Sequence, residues 1–457
     1  MGSALLALIA NGVVSAVNIA NVRGNQGKIR SMARIQTTRS KFIPMLTIRE
    51  TCRLCDSRDS RVVLELPPTP IGDRYTETPE PDVERFPLTL IRCTACGLLQ
   101  LREVIDPETL YGHYRYRTGE SLGLSAYFDR YVAEIAPVMV TNRMRPHVVD
   151  IGSNDGTLLR AFQRRGYIAT GVDPIGGPDT LQGAWSLTAS KLMRGANGQA
   201  DIITANNVLA NADDVHGFME GVRNLLAPDG IFVCETGSGP DLISSRLYDC
   251  IYHEHLSYFG LNQLRVLFGR HGLKIIKAVH TESKGGCLRI IASHGGDGEG
   301  VLSDLALEQR DASRLEEAGF RRHLENTKLE VKRWLVQHPE RVWHFGYGAS
   351  VGVTTLRYAL GLGGKINPFL DDNQSRRGLF VPGAPVQVFM SDELYERPAH
   401  ASVVILLAWR YADVILAKHQ AFLEAGGVIL QPLPTLTVHT AESYARRILA
   451  TGNPRTA

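Results

Sequence analysis

Residues 147–173 constrain the fold more than any other stretch. They run HVVDIG, then GTLLRAFQRRG, then YIATGVD, and read as a buried strand, a helix and a second buried strand. This is a βαβ unit, which commits the chain to a parallel sheet with helices packed on its faces. The alternation continues through DIITANNVLA, the amphipathic DDVHGFMEGVRNLL, GIFVCET, LKIIKAV and CLRIIAS, so a doubly wound α/β domain is expected over 111–303. Residues 304–338, rich in Leu, Glu, Arg and Lys, predict one or two connecting helices. RVWHFGYGAS, TTLRYALGL, PFLDD, SVVILLAW and GVILQPL then alternate again, so 304–457 is expected to hold those helices and a second α/β domain.

Within the first unit, Asp150-Ile-Gly-Ser-Asn-Asp-Gly156 falls where strand gives way to helix, and Gly152 and Gly156 let the backbone approach a ligand closely. The loop lacks both the lysine of a P-loop and the G-x-G-x-x-G spacing of a dinucleotide fold. Asp173, at the end of the next strand, is placed to bind two ribose hydroxyls. S-adenosylmethionine is the cofactor that fits, held by Asp150, Gly152, Asn154, Gly156 and Asp173. Asn206 and Asn207, which end a later strand, would face the same crevice.

Four of the seven cysteines form the pairs Cys52-Arg-Leu-Cys55 and Cys93-Thr-Ala-Cys96, the spacing that closes a tetrahedral zinc site. Four thiolates leave no open position, so zinc is expected to be structural, in a loop-rich module over 49–110. Cysteines used this way fit a reducing, cytoplasmic setting. The first 22 residues carry no side-chain charge and include ALLALIA, but Asn11, Asn18 and Asn21 interrupt the run and no basic residue precedes it. That makes a poor membrane span and a poor signal peptide, and residues 1–48 are expected to be a poorly ordered extension. Lys and Arg number 50 against 47 acidic residues, a net +3, which does not by itself imply a polyanionic partner.

Tyr252-His253-Glu254-His255, followed by Tyr258, brings imidazole, carboxylate and phenol together and suits general acid–base chemistry. Its histidines are at i, i+2, not the i, i+4 of a helical metal pair. Gly346-Tyr347-Gly348 after a later strand, with Asp371-Asp372 ending the next, leaves three readings open: a structural turn, a seat for the nucleotide part of a substrate, or an NAD site.

Taken together the motifs resemble a family, the small-molecule C-methyltransferases that act on nucleotide-linked 4-keto-deoxysugars. The resemblance rests on the four cysteines and on HYRYRTGES, VVDIGSNDG, ITANNVLA, IYHEHLSYF, GGCLRI, GYGAS and ILLAWRYADVI, in that order over about 50–440. It implies a zinc module, a class I S-adenosylmethionine methyltransferase domain and a C-terminal Rossmann-like domain. It also implies a reaction: a base removes the C3 hydrogen next to the ketone, and the resulting enolate takes the methyl group. His255 would be the base, an imidazole that titrates near neutral pH. Tyr252 and Glu254 would hydrogen-bond the sugar or the enolate, and Tyr116 and Tyr114 would face the same sugar. Asn211, Tyr258 and the Gly346-Tyr347-Gly348 turn complete the substrate side. Asn211 stands where the family usually has His, and Cys287 stands in GGCLR where GGSLR is usual.

The competing reading is an RNA-modifying methyltransferase with a zinc ribbon, which requires a basic stripe near the module. Residues 52–96 instead carry six arginines against eight carboxylates. A third reading, a cofactor-binding regulator descended from an enzyme, draws support only from Asn211. A monomer acting on a nucleotide-linked sugar, without nucleic-acid or membrane partners, is the expected state.

Overall fold

The computed structural model of the chain describes residues 16–19, 33–36, 45–112, 117–120, 123–139, 143–281, 283–295 and 317–451. The expected sheet is present, nine strands in the order Ala16–Ile19, Ala33–Gln36, Thr180–Gln182, Ile168–Asp173, His147–Ile151, Ala200–Asn206, Leu226–Gly237, Cys287–His294, Leu273–Thr281. The strands from Thr180–Gln182 to Leu226–Gly237 pair in parallel. Cys287–His294 is antiparallel to both of its neighbours.

Both faces of this sheet are covered, which is why its strands read as continuous apolar runs. Along His147–Ile151 the side chains alternate between two layers. Val149 and Ile151 pack with Met193, Met219 and Val222, on the helices Leu187–Asn197 and Val215–Leu225. Val148 packs with Tyr131, Leu158 and Phe162, on Leu124–Ile135 and Thr157–Gln163. Asp214 caps Val215–Leu225 by accepting from the Gly217 amide at 2.8 Å, so the helix starts where DDVHGF signals it.

The zinc module is an antiparallel sheet of Ser60–Thr69, Phe86–Cys93 and Leu99–Leu101. Pro67 and Pro68 are tolerated because Ser60–Thr69 is the edge strand and its register slips there. Two features depart from the sequence expectation. Leu46–Ile48 pairs with Glu103–Ile105, and 16–19 and 33–36 form a hairpin on the main sheet, so part of 1–48 is built into the fold. The module is also not separate: its fourth strand is Ser257–Tyr258, from the central domain.

The C-terminal sheet runs Val388–Met390, Phe369–Asp371, Trp343–Tyr347, Ser402–Leu406, Val428–Gln431, Thr437–His439, parallel except for the last strand. The helix Glu317–Gln337 links it to the rest. One core joins Leu64 and Leu90 of the module, Tyr248 and Tyr258, Phe320 and Leu324 of the linking helix, and Val353 and Ile405 of the C-terminal domain. Among the described residues no helix is long and apolar enough to cross a membrane.

Candidate active site and metal centre

In parallel sheets, ligands bind outside the carboxyl ends of the strands. Here the ends of His147–Ile151, Ala200–Asn206 and Leu226–Gly237 lie side by side, with Ala205 opposite Ile151 and Asn206 opposite Glu235. The loop that leaves the first strand needs its glycines. Gly152 has φ +76°, and a Cβ there would stand 2.3 Å from Val208 Cγ2. Gly156 has φ +78° and caps Thr157–Gln163.

The Asp173 carboxylate organises this loop. It accepts from the amides of Asn154 and Ile175, both at 2.9 Å. A carboxylate has about four lone-pair sites, so two remain for the hydroxyls of a ribose, and the residue fits an adenosyl group. Burial, opposed by the two backbone hydrogen bonds, raises its pKa. Asp150 is also buried and accepts from the Thr204 hydroxyl at 2.7 Å, and burial pushes it up to about 7. The Asn206 carboxamide and the Tyr131 hydroxyl are closed off from solvent nearby, and neither completes a well-formed hydrogen bond among the described residues. Asn207 takes φ +56° beyond the strand end. Thr118 and Gly119 donate backbone N–H groups to Asn154 Oδ1 and Asp155 Oδ2 at 2.9 and 2.7 Å, so the end of the HYRYRTGES segment docks on the loop. Tyr114 and Tyr116 in that segment lie outside the described residues.

Residues 251–256 form an irregular loop between the 3-10 turn Tyr248–Cys250 and the strand Ser257–Tyr258. His255 is buried, its ring 4.4 Å from that of Tyr258 and 5.6 Å from that of Tyr252. It lies against Gly237, where a Cβ would come within 3.2 Å of His255 Cε1, so the imidazole occupies the carboxyl end of the third strand. Tyr252 is half-buried, and its pKa is held well above the usual range, first by desolvation and then by the Glu254 charge. Tyr258 contributes its ring rather than its hydroxyl, which donates to the Cys250 carbonyl at 3.1 Å. His253 leaves the cluster: its Nε2 meets the Phe86 carbonyl at 3.2 Å, and burial lowers its pKa to about 4.

Several residues join the site to which the sequence motifs assigned no role. Tyr111 packs its ring against Ile105 and Leu110 of the module and reaches Asn211 with its hydroxyl, beside Glu254. Burial, then the Glu254 charge, raises its pKa. Arg410, at the carboxyl end of Ser402–Leu406 in the C-terminal domain, pairs with Asp249 at 2.9 Å and lies 3.5 Å from Cys250 Sγ. Behind the strands, Arg289 donates to Glu235 and Glu134 at 2.7 and 2.6 Å and stacks on the rings of Tyr127 and Tyr131.

The Gly346-Tyr347-Gly348 turn divides in the same way. Gly348 has φ +115° and abuts Ala408, where a Cβ would stand 2.8 Å from its Cβ. Tyr347 turns inward, its hydroxyl 2.8 Å from Asp372 Oδ2 and 3.1 Å from His419 Nε2, so it braces the domain. Asp371 accepts from the amides of Ala349 and Asn373, at 2.5 and 2.7 Å, an arrangement parallel to that around Asp173.

The four module cysteines come together with all Sγ atoms within 4.8 Å of one another, the closest pairs Cys52–Cys96 and Cys55–Cys93 at 3.5 Å. A tetrahedral zinc with bonds of about 2.3 Å sets its sulfurs about 3.8 Å apart, so the set fits zinc with slight expansion. The hydrogen bond between Cys52 and Cys96 lowers the Cys52 thiol and raises that of Cys96.

Comparison with known proteins matches three families along the chain. Residues 52–111 match a family described as a zinc binding domain, 120–278 a methyltransferase domain, and 282–434 a C-methyltransferase C-terminal domain. The C-methyltransferase NovU of Streptomyces niveus is 29% identical over 416 residues, covering 86% of this chain and 98% of the relative. Magnesium protoporphyrin IX methyltransferase (ChlM) from Synechocystis PCC 6803, solved with S-adenosylhomocysteine, is 14% identical over 40% of this chain and 91% of its own, with a TM-score of 0.30. The 1,6-didemethyltoxoflavin-N1-methyltransferase of Burkholderia thailandensis is 19% identical over 39% and 80%, with a TM-score of 0.28.

Proposed function

Because the chain belongs to the S-adenosylmethionine-dependent C-methyltransferases with a zinc-binding module and a C-terminal partner domain, we propose that it methylates C3 beside the ketone of a nucleotide-linked 4-keto-deoxysugar. The observation that carries this reading is the position of His255, buried against Gly237 on the strand-end edge it shares with the Asp150–Gly156 loop and Asp173.

S-adenosylmethionine supplies an electrophilic methyl group when bound. Asp173 and the loop amides orient it, with Asp150, Asn206 and Asn207 along the same edge. His255 takes the C3 proton. Tyr252, whose pKa lies far above neutrality, remains a neutral donor for the oxygen that gains charge as the enolate forms. Tyr111 and Asn211 offer further donors that do not ionise near pH 7. The nucleotide half of the substrate goes to the C-terminal crevice at Gly348 and Asp371, which Arg410 connects to the loop before Tyr252.

RNA as substrate finds no support in the module. Arg53, Arg58, Arg61, Arg74 and Arg92 are all committed to ion pairs, and Arg85 lies over the Tyr358 ring. The test is incubation with methyl-labelled S-adenosylmethionine and a panel of 4-keto-6-deoxy nucleotide sugars, read by carbon NMR. Label on C3 supports the proposal; label on a sugar oxygen, or on RNA and no sugar, overturns it.

A further inference from the structure

We propose that Arg53, between the two cysteines of the first zinc knuckle, is a positioning residue that ties the metal module to the loop carrying Tyr252, Glu254 and His255 and to the turn carrying Asn211. The proposal rests on the reading of that loop as the reactive one. The zinc module then does more than hold itself together: it sets the place of the base.

The Arg53 side chain is 0% exposed, and its donors leave the module toward two segments, besides bonding within it. Nε meets Asp213 Oδ1 at 3.0 Å, two residues after Asn211. Nη1 donates to the Leu256 carbonyl at 3.3 Å, one residue after His255, and to the Leu101 carbonyl at 2.6 Å. Gln100 Oε1 receives both Nη1, at 3.2 Å, and the Arg53 amide, at 3.1 Å. Arg49 reinforces the contact by donating to Asp213 Oδ2 at 3.0 Å.

A guanidinium presents its donors in a rigid planar fork, so fixing the knuckle fixes where these acceptors can lie. Hydrogen bonds to a charged donor are the stronger kind, and a fully buried cation cannot exchange them for water. The Leu256 carbonyl also receives the Leu101 amide at 2.9 Å. Loss of Arg53 therefore leaves the strand pair Leu99–Leu101 with Ser257–Tyr258 in register and loosens what precedes it, the His255 loop and the Asn211 turn.

The test uses full-length, zinc-loaded protein with Arg53→Met, which keeps the apolar stem, and Asp213→Asn, which attacks the pair from its exposed end. Zinc content, S-adenosylmethionine affinity, amide hydrogen exchange and kcat are measured on each. Expected for both are wild-type zinc content and cofactor affinity within about twofold, with exchange over 251–256 and 208–214 faster by about tenfold, the scale of one lost charge-assisted bond. Exchange in the remote strand Ser402–Leu406 stays unchanged, and kcat falls about tenfold or more. Arg53→Lys, which keeps the charge for Asp213 but not the fork, recovers part of the loss. Wild-type exchange and kcat in both variants overturn the proposal. So does a parallel loss of zinc, cofactor affinity and protection at Ser402–Leu406, which makes Arg53 a general stabiliser. If wild-type protein methylates no sugar, the functional reading fails, and the exchange measurement still decides the role of Arg53.

Discussion

Replacing Gly152 by alanine tests whether the strand-end loop is the cofactor site. Two separate effects meet at this residue. Its φ of +76° is left-handed, where an L side chain costs about 1–2 kcal/mol. The added Cβ also falls 2.3 Å from Val208 Cγ2 and 3.4 Å from Val208 Cβ, well inside contact distance, and overpacking of this kind costs about 1–3 kcal/mol. Val208 follows Asn207, itself at φ +56°, and Asn206 on the crevice edge, so a backbone shift that relieves the clash reaches both. The strain therefore weakens the fold while the displacement distorts the site. The expected result for Gly152→Ala is a total loss of about 2–5 kcal/mol, shared between urea stability and calorimetric affinity for S-adenosylmethionine. In a double-mutant cycle, Val208→Ala should return about 1–3 kcal/mol, the overpacking part, and leave the backbone strain in place. Wild-type affinity and stability in Gly152→Ala, or strict additivity with Val208→Ala, would refute the reasoning.

Asp173→Ala should weaken S-adenosylmethionine binding by roughly 1.5–3 kcal/mol, the scale of hydrogen bonds to a charged group; unchanged calorimetric affinity in folded protein moves the cofactor elsewhere. Cys55→Ala, or chelation, should lower zinc content and melting temperature together, because structural zinc binding is folding free energy on the order of 10 kcal/mol in small modules. Metal-free protein that melts like wild type contradicts a structural zinc. Burial raises Asp150 to about 7 in the folded cofactor-free protein, against about 4 unfolded, so its contribution to stability is full below pH 4 and is lost as the pH rises to about 7. Asp150→Asn should remove this decline and melt higher than wild type at pH 8, with roughly 4 kcal/mol as the ceiling; equal pH dependence of the two proteins rules the assignment out.

How much of this was legible follows from what each pattern reports. The runs HVVDI and ADIITAN identified central strands because both faces of that sheet are covered, which makes most of their positions apolar and all but the last buried. The cysteine pairs were readable because zinc fixes ligand spacing locally. The cluster 252–258 was visible as a composition, but not its geometry: His253 turns to the Phe86 carbonyl and the Tyr258 hydroxyl to Cys250, while His255 alone of the two imidazoles reaches the crevice. The strand Ser257–Tyr258 spans two residues and carries no periodic signal, so its insertion into the zinc sheet could not be read. Tyr111, Arg53 and Arg410 were missed for a common reason. Each acts on a segment far away in the chain, as Arg53 does on Leu256 across 203 positions, and local periodicity holds no record of which distant segments meet. Tyr347 shows the converse. Its Gly-x-Gly setting suggests a ligand, whereas the phenol supports Asp372 and His419.

The central claim is that His255 removes the proton from the carbon that receives the methyl group. Exchange of the substrate's C3 hydrogen with deuterated water, followed by proton NMR without S-adenosylmethionine, isolates that step from methyl transfer. The account predicts exchange with wild-type protein and a fall of about 10²–10⁴-fold in His255→Asn, the usual contribution of a positioned base, at unchanged affinity for cofactor and sugar. Exchange at the wild-type rate in His255→Asn, together with its loss in Tyr252→Phe, contradicts the account and makes the phenol the proton acceptor.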